Sequence, residues 1–201
     1  IAKWRFSYRT YRYVRAERES GRTADAVLCV SNDDATYYRQ YSRNVIVAPN
    51  GVDTDFFNAR RQEGPVDEDI LFFGLMRYDP NAEGLVRFLK EGWPHVIKGR
   101  PNARLLVAGD GGPERLGSLA GDPGVVVLGM VDDIAALVAR ARVVVVPVWR
   151  GSGTRLKVLE ALAAGRPIVG TSLGVSGIGF EEGIHGIVAD DPQEMALAIA
   201  D

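Results

Sequence analysis

The chain has 201 residues, enough for one well-packed core or slightly more. Hydrophobic residues make up 46% and charged residues 25%, ordinary for a globular protein, and a formal net charge of −2 gives no overall attraction for nucleic acid. The single cysteine, Cys29, excludes an intramolecular disulfide and fits a reducing compartment, and no apolar run approaches the roughly 20 residues that span a bilayer.

At the start, Trp4, Phe6, Tyr8, Tyr11 and Tyr13 interleave with Lys3, Arg5, Arg9, Arg12, Arg15 and Arg18. These interruptions do not fit a signal peptide. Trp4, Tyr8 and Tyr11 share one helical face. That face suits packing on a further domain with the arginines solvated, or peripheral contact with an anionic membrane surface. Val27–Val30 reads as a buried strand, and Ser31 as the N-cap of a helix to about Tyr41. Val45–Ala48 is a short strand closed by a turn at Pro49, Asn50 and Gly51. Thr54–Glu68 has little apolar periodicity and reads as a linker.

From Asp69 onward strands and helices alternate. Strands are expected at Ile70–Gly74, Arg104–Ala108, Val125–Leu128, Val143–Pro147, Ile168–Gly170 and Ile187–Ala189. Helices are expected at Asn81–Lys98 with Leu85, Phe88 and Leu89 inward, and at Asp132–Ala141, Thr154–Ala164 and Gln193–Ala200. Near-continuous apolar strands between amphipathic helices imply an α/β fold, a Rossmann-like parallel sheet with helices on both faces. Ligands of such sheets bind beyond the C-terminal ends of the strands. Gly74, Gly109–Gly112, Met130–Val131 and Val148–Gly153 all fall there.

The segment from Arg150 to Thr171, RGSGTRLKVLEALAAGRPIVGT, carries the most chemistry. A Gly-rich turn at Gly151, Ser152 and Gly153 ends a buried strand and opens a helix through Thr154 and Arg155. Free backbone N–H groups and the helix dipole make that junction an anion site. Lys157 adds positive charge one turn in. Glu160 shares its face and is an acceptor suited to a sugar diol. Leu156, Leu159 and Ala163 are expected on the buried side. The pattern GDGG at Gly109–Gly112 is not a dinucleotide fingerprint, because Glu114 stands where the third glycine belongs. That argues against a nicotinamide-dependent dehydrogenase. His95 and His185 lack neighbours with metal-ligand spacing, so no metal site is expected.

This segment resembles the donor-binding region of GT-B glycosyltransferases, the large retaining family of group 1 or family-4-like enzymes that use nucleotide-sugar donors. ADAVLCVS, PNGVD, LFFGLMRYDPNAEG, LLVAGDGG and VLGMVDD follow in the family's order and approximate spacing, from Ala24 to the C-terminus. The resemblance implies transfer of a sugar from a nucleotide diphosphate to an acceptor hydroxyl with retention, without a cofactor beyond the donor itself. Arg77 and Lys157 would stabilise the leaving diphosphate. Gly74, Gly111, Gly151, Ser152, Gly153, Thr154 and Arg155 would line the donor site, Glu160 would hold the ribose, and backbone around Met130 and Val131 the base.

Two departures from the family pattern stand out. The lysine expected five or six residues after Arg77 is replaced by Ala82 and Glu83, so Lys157 is expected to substitute for it. The first of two glutamates seven residues apart is replaced by Ser152. By resemblance, residues 1–53 are the tail of the N-terminal acceptor domain, 54–68 the linker and 69–201 the C-terminal donor domain of a longer protein. The first domain's missing part would bring a carbohydrate or lipid-linked acceptor. The product would be a cell-surface polysaccharide or glycolipid, made in the cytoplasm or at the inner face of the membrane. A GT-B nucleotide-sugar epimerase and a non-catalytic nucleotide-sugar-binding module remain as alternatives.

Overall fold

The computed structural model describes the backbone of residues 2–58, 68–151 and 153–201, with side chains from Thr10 onward. The chain divides into two compact units, Ile1–Asn50 and Gly51–Asp201.

The smaller unit holds α1 (Ala2–Thr23), β1 (Val27–Cys29), α2 (Asn32–Tyr38) and β2 (Val45–Val47). β1 and β2 pair in parallel, Val27 with Val45. Ser31 caps α2, its hydroxyl accepting from Asp34 N–H at 3.1 Å. Arg18 and Arg22 lie over the Tyr41 ring at 5.5 and 5.7 Å. Of the expected aromatic face on α1, the side chains of Trp4 and Tyr8 lie outside the described residues, and Tyr11 is exposed. Among the described residues no helix is long and apolar enough to cross a membrane.

The larger unit begins with α3 (Thr54–Asn58) and β3 (Ile70–Phe73). Next come α4 (Asp79–Glu91), α5 (Trp93–Gly99), β4 (Leu105–Ala108), α6 (Gly112–Leu116) and a 3-10 turn at Gly117–Gly121. β5 (Val125–Gly129), α7 (Ile134–Arg140), β6 (Val143–Val146), α8 (Leu156–Ala163), β7 (Ile168–Gly170), β8 (Gly186–Val188) and α9 (Pro192–Ala200) complete it. The sheet order is β5-β4-β3-β6-β7-β8, all parallel. Chain order therefore runs outward from β3 in one direction and then from β6 in the other. This is the doubly wound arrangement, and its reversal point falls between β3 and β6.

Every residue of β3 and β6 is buried, as expected for central parallel strands covered on both faces. Alternation along β3 splits the core. Ile70 and Phe72 join Leu85, Phe88, Trp93 and Met195 under α4, α5 and α9. Leu71 and Phe73 join Phe57, Val138, Val158 and Ala161 under α3, α7 and α8. One close approach sets the position of α4. A Cβ on Gly84 would lie 1.7 Å from the Pro147 carbonyl oxygen, so only glycine lets the helix rest on the end of β6.

The structure departs from the sequence reading in five places. The strand expected to be buried at Val27–Val30 is β1, whose Leu28 is 68% exposed because a two-stranded sheet leaves part of its surface uncovered. The expected linker at 54–68 is a helix over its first five residues, with Phe57 in the core; residues 59–67 lie outside the described residues. The helix expected over Asn81–Lys98 is two, broken at Gly92. Pro94 is tolerated only in the first turn of a new helix, where it lacks no needed N–H. The helix α6 and the 3-10 turn follow β4 without having been expected. Finally, the inward face of α8 is Lys157, Val158 and Ala161, while Leu156 is 50% exposed and Leu159 and Ala163 are half-buried. Small residues let α8 sit close to the sheet, and this tight fit outweighs the larger apolar area of leucine.

Candidate functional site

The loops after β3, β4 and β5 are joined backbone to backbone. Gly74 N–H donates to Ala108 at 2.9 Å, Met76 N–H to Asp110 at 2.9 Å, and Gly109 N–H to Gly129 at 2.7 Å. Gly109, at φ +137°, passes so near Gly74 that an added Cβ would lie 2.0 Å from the Gly74 carbonyl oxygen. A rigid rim of backbone thus borders one side of the reversal point. The other side is formed by residues 148–151 and 153–155, which lie between β6 and α8.

Lys157 lies at the floor between them. It stands second in α8, is 8% exposed, and its ammonium lies 4.4 Å from the centroid of the Phe72 ring. It donates to Asn81 Oδ1 at 3.1 Å. A Cβ on Gly74 would be 2.8 Å from Lys157 Nζ, so the glycine leaves space for the ammonium beside the end of β3. Burial pulls the Lys157 pKa down from the ordinary 10.5 to about 7; Arg155 pushes the same way and Glu160 opposes it. The positive end of α8 adds to the strain on a cation here. Its surroundings therefore disfavour its charge and would be relieved by an anion.

Glu160 lies one turn on and is half-buried, and burial raises its pKa against the lowering effect of Lys157. Arg155 occupies the position before α8 without capping it through its side chain, and folds back to donate to the Gly153 carbonyl. A Cβ on Gly151 would be 3.3 Å from both Arg155 Nη2 and Tyr78 Oη, which places this guanidinium beside the start of α4. Thr154 is half-buried. Ser152 lies outside the described residues. Arg77 extends from the β3–α4 loop, mostly exposed, and pairs with Asp110 at 2.7 Å; Gly111 packs against its stem. Met130 is 72% exposed at the end of β5, and Val131 is half-buried beside it.

The positions expected to hold the family's loop lysine cannot serve. Ala82 is buried, and Glu83 is paired with Arg150 at 2.7 Å. Asn81, Tyr78 and Asp110 reach the site although the sequence reading assigned them nothing. Among the described residues no group of three or more His, Cys, Asp or Glu is placed to hold a metal.

The family model for glycosyl transferases group 1 matches residues 67–201. The chain belongs to that family. Among the relatives of this group 1 glycosyltransferase chain is the phosphatidyl-myo-inositol mannosyltransferase of Mycobacterium tuberculosis, 32% identical over 167 residues. That match covers 79% of this chain and 43% of the relative. An uncharacterized glycosyltransferase of Methanocaldococcus jannaschii is 38% identical over 127 residues, covering 58% and 31% of the two chains. The chain thus spans less than half the length of these curated relatives.

Solved structures place the fold with GT-B glycosyltransferases. A Staphylococcus aureus TarM mutant in complex with fondaparinux, α-GlcNAc-glycerol and UDP matches with a TM-score of 0.75 at 14% identity, over 91% of this chain and 38% of that one. Anabaena HepE in complex with UDP and glucose matches with a TM-score of 0.70 at 19% identity, over 90% and 54%.

Proposed function

We propose that this chain is the donor-binding part of a group 1 glycosyltransferase that moves a sugar from a nucleotide diphosphate to an acceptor hydroxyl with retention. The observation that carries this reading is Lys157, a cation buried at the reversal point of a doubly wound sheet and held by a neutral amide. Such a group is costly without an anionic ligand. A diphosphate lying over the start of α8 would face Lys157 from below and Arg77 from the rim. As the glycosidic bond breaks, negative charge grows on the leaving diphosphate, and fixed cations stabilise it more than they stabilise the bound ground state.

Glu160, one turn along α8, accepts hydrogen bonds from the ribose, and the backbone at Gly129–Val131 meets the base. The cations of the chain do the electrostatic work, so the reaction calls for no metal or organic cofactor beyond the donor. UDP in the complexes of TarM and HepE supports a nucleotide donor. The phosphatidyl-myo-inositol mannosyltransferase relatives support a lipid-linked acceptor, and the acceptor, carbohydrate or lipid-linked, would be handled in the cytoplasm by the domain to which residues 1–53 contribute.

The test is a thermal-shift panel of nucleosides and nucleoside diphosphates. A ligand at 100 times its Kd stabilises by about 2.7 kcal/mol. Nucleoside diphosphates are expected to stabilise the wild-type chain well beyond their nucleosides, and Lys157→Met to erase most of that difference. Equal stabilisation by both ligand classes would remove the diphosphate from this crevice.

A further inference from the structure

Lys157 is tied to a second side chain at the crevice floor. Its ammonium donates to Asn81 Oδ1, and the same amide donates through Nδ2 to the Leu75 carbonyl at 3.0 Å. Chemistry fixes the orientation of this amide. A carbonyl only accepts and an ammonium only donates, so Nδ2 faces Leu75 and Oδ1 faces Lys157. Asn81 stands three residues after Tyr78, the residue that precedes α4. A Cβ on Gly74 would lie 3.0 Å from Asn81 Nδ2 as well as 2.8 Å from Lys157 Nζ. Three elements, α4, α8 and the β3–α4 loop, therefore meet at one amide.

We propose that Asn81 is a positioning residue of the donor site, whose neutral amide fixes the Lys157 ammonium at the crevice floor while leaving its charge available to the diphosphate. This rests on the reading of Lys157 as a diphosphate ligand. Aspartate would fill the same space with the opposite consequence. Its carboxylate would neutralise the lysine, repel the incoming diphosphate, and lose the hydrogen bond to Leu75. Alanine would release the ammonium into several rotamers, and ordering them again would weaken binding. The amide also ties Lys157 to the loop that carries Arg77, so both cations are set by one short segment.

Among the described residues, the groups that face Lys157 come from three elements. β3 supplies the Phe72 ring, its following loop Gly74, and α4 the Asn81 amide. Its own helix and the residue before it supply Glu160 and Arg155, the charges that act on it. A new carboxylate at position 81 would therefore dominate its titration.

The experiment uses the 201-residue chain with UDP and GDP as probes, and circular dichroism to confirm folding. Aspartate near a helix N-terminus is favourable, and alanine is a good helix former, so both variants retain α4. Asn81→Ala is expected to weaken the better-binding nucleotide by about tenfold, and Asn81→Asp by more. In a Lys157→Met background, Asn81→Ala is expected to change affinity less than about twofold, because the group it positions is gone. Carbon-13 labelling at the lysine ε carbon follows the Lys157 titration, which Asn81→Asp should move to higher pH. An alanine effect of full size in the Lys157→Met background, or a lysine titration unmoved by Asn81→Asp, overturns the proposal. If neither nucleotide binds the wild-type chain, the donor reading itself fails. The lysine titration then still decides whether Asn81 anchors Lys157.

Discussion

Replacing Lys157 with methionine should stabilise the chain, and the size of the gain should depend on pH. The Lys157 pKa lies near 7 instead of 10.5. Each pH unit of that difference corresponds to about 1.4 kcal/mol, so holding the charged lysine in this buried position costs on the order of 5 kcal/mol. The direction follows from proton counting. Between about pH 7 and 10.5 the unfolded chain carries a proton that the folded chain has lost, so wild-type stability rises with pH across that window. Below pH 7 both states hold the proton and the cost is full and flat; above 10.5 both are neutral and it vanishes. Methionine keeps most of the stem and removes the titration. It leaves the Asn81 carbonyl without its donor, a loss that does not vary with pH.

The advantage of Lys157→Met over wild type should therefore be greatest at pH 6 and shrink by roughly 2–3 kcal/mol by pH 9. Urea unfolding followed by tryptophan fluorescence measures this, since Trp93 and Trp149 both lie in the larger unit. Ligand binding should show the mirror image. A diphosphate that raises the Lys157 pKa should draw about half a proton from solution at pH 7, seen by calorimetry in buffers of different ionisation enthalpy. A stability difference that stays constant from pH 6 to 9 would refute the depressed titration and the strained cation with it.

Other outcomes follow from the same geometry. Gly84→Ala should destabilise the larger unit by roughly 3 kcal/mol or more, because the obstacle is the Pro147 backbone; an unchanged urea midpoint would show that α4 can lift away. Arg77→Ala should leave stability within about 1 kcal/mol, since its pair with Asp110 is exposed, yet weaken nucleoside diphosphate binding by about 1.5–3 kcal/mol. Calorimetry and denaturation on the same sample separate the two effects. Glu160→Ala should weaken nucleotides and their nucleosides alike by about 1.5–3 kcal/mol without unfolding the domain, and unchanged affinity would take Glu160 out of the site.

The parallel sheet was legible because its strands are unbroken apolar runs, such as Val143–Val146, which only a doubly covered strand accommodates. The placement of the crevice was legible from where the glycines fall. The inward face of α8 was not. Hydrophobicity favours Leu156 and Leu159, but the sheet accepts Val158 and Ala161, and periodicity is blind to how closely two layers approach. The burial of Lys157 was equally hidden, because lysine ordinarily stays in water and nothing adjacent in sequence reveals Asn81, which lies 76 positions earlier. The helices α3 and α6, five residues each, are too short to display a period.

The reversal between β3 and β6 also shapes how the larger unit assembles. β3, β4 and β5 pair as consecutive neighbours, and so do β6, β7 and β8. The two triplets are joined in the sheet by one pairing, Ile70 with Val143 and Leu71 with Val144, which closes the longest stretch of chain of any strand contact here. Loop-closure entropy makes that joint the costliest of these strand pairings to form and the natural seam for partial opening. A ligand seated across the seam would fasten both triplets at once. Hydrogen exchange should accordingly slow together in β3 and β6 when a nucleotide is bound, with the outer strands β5 and β8 affected less.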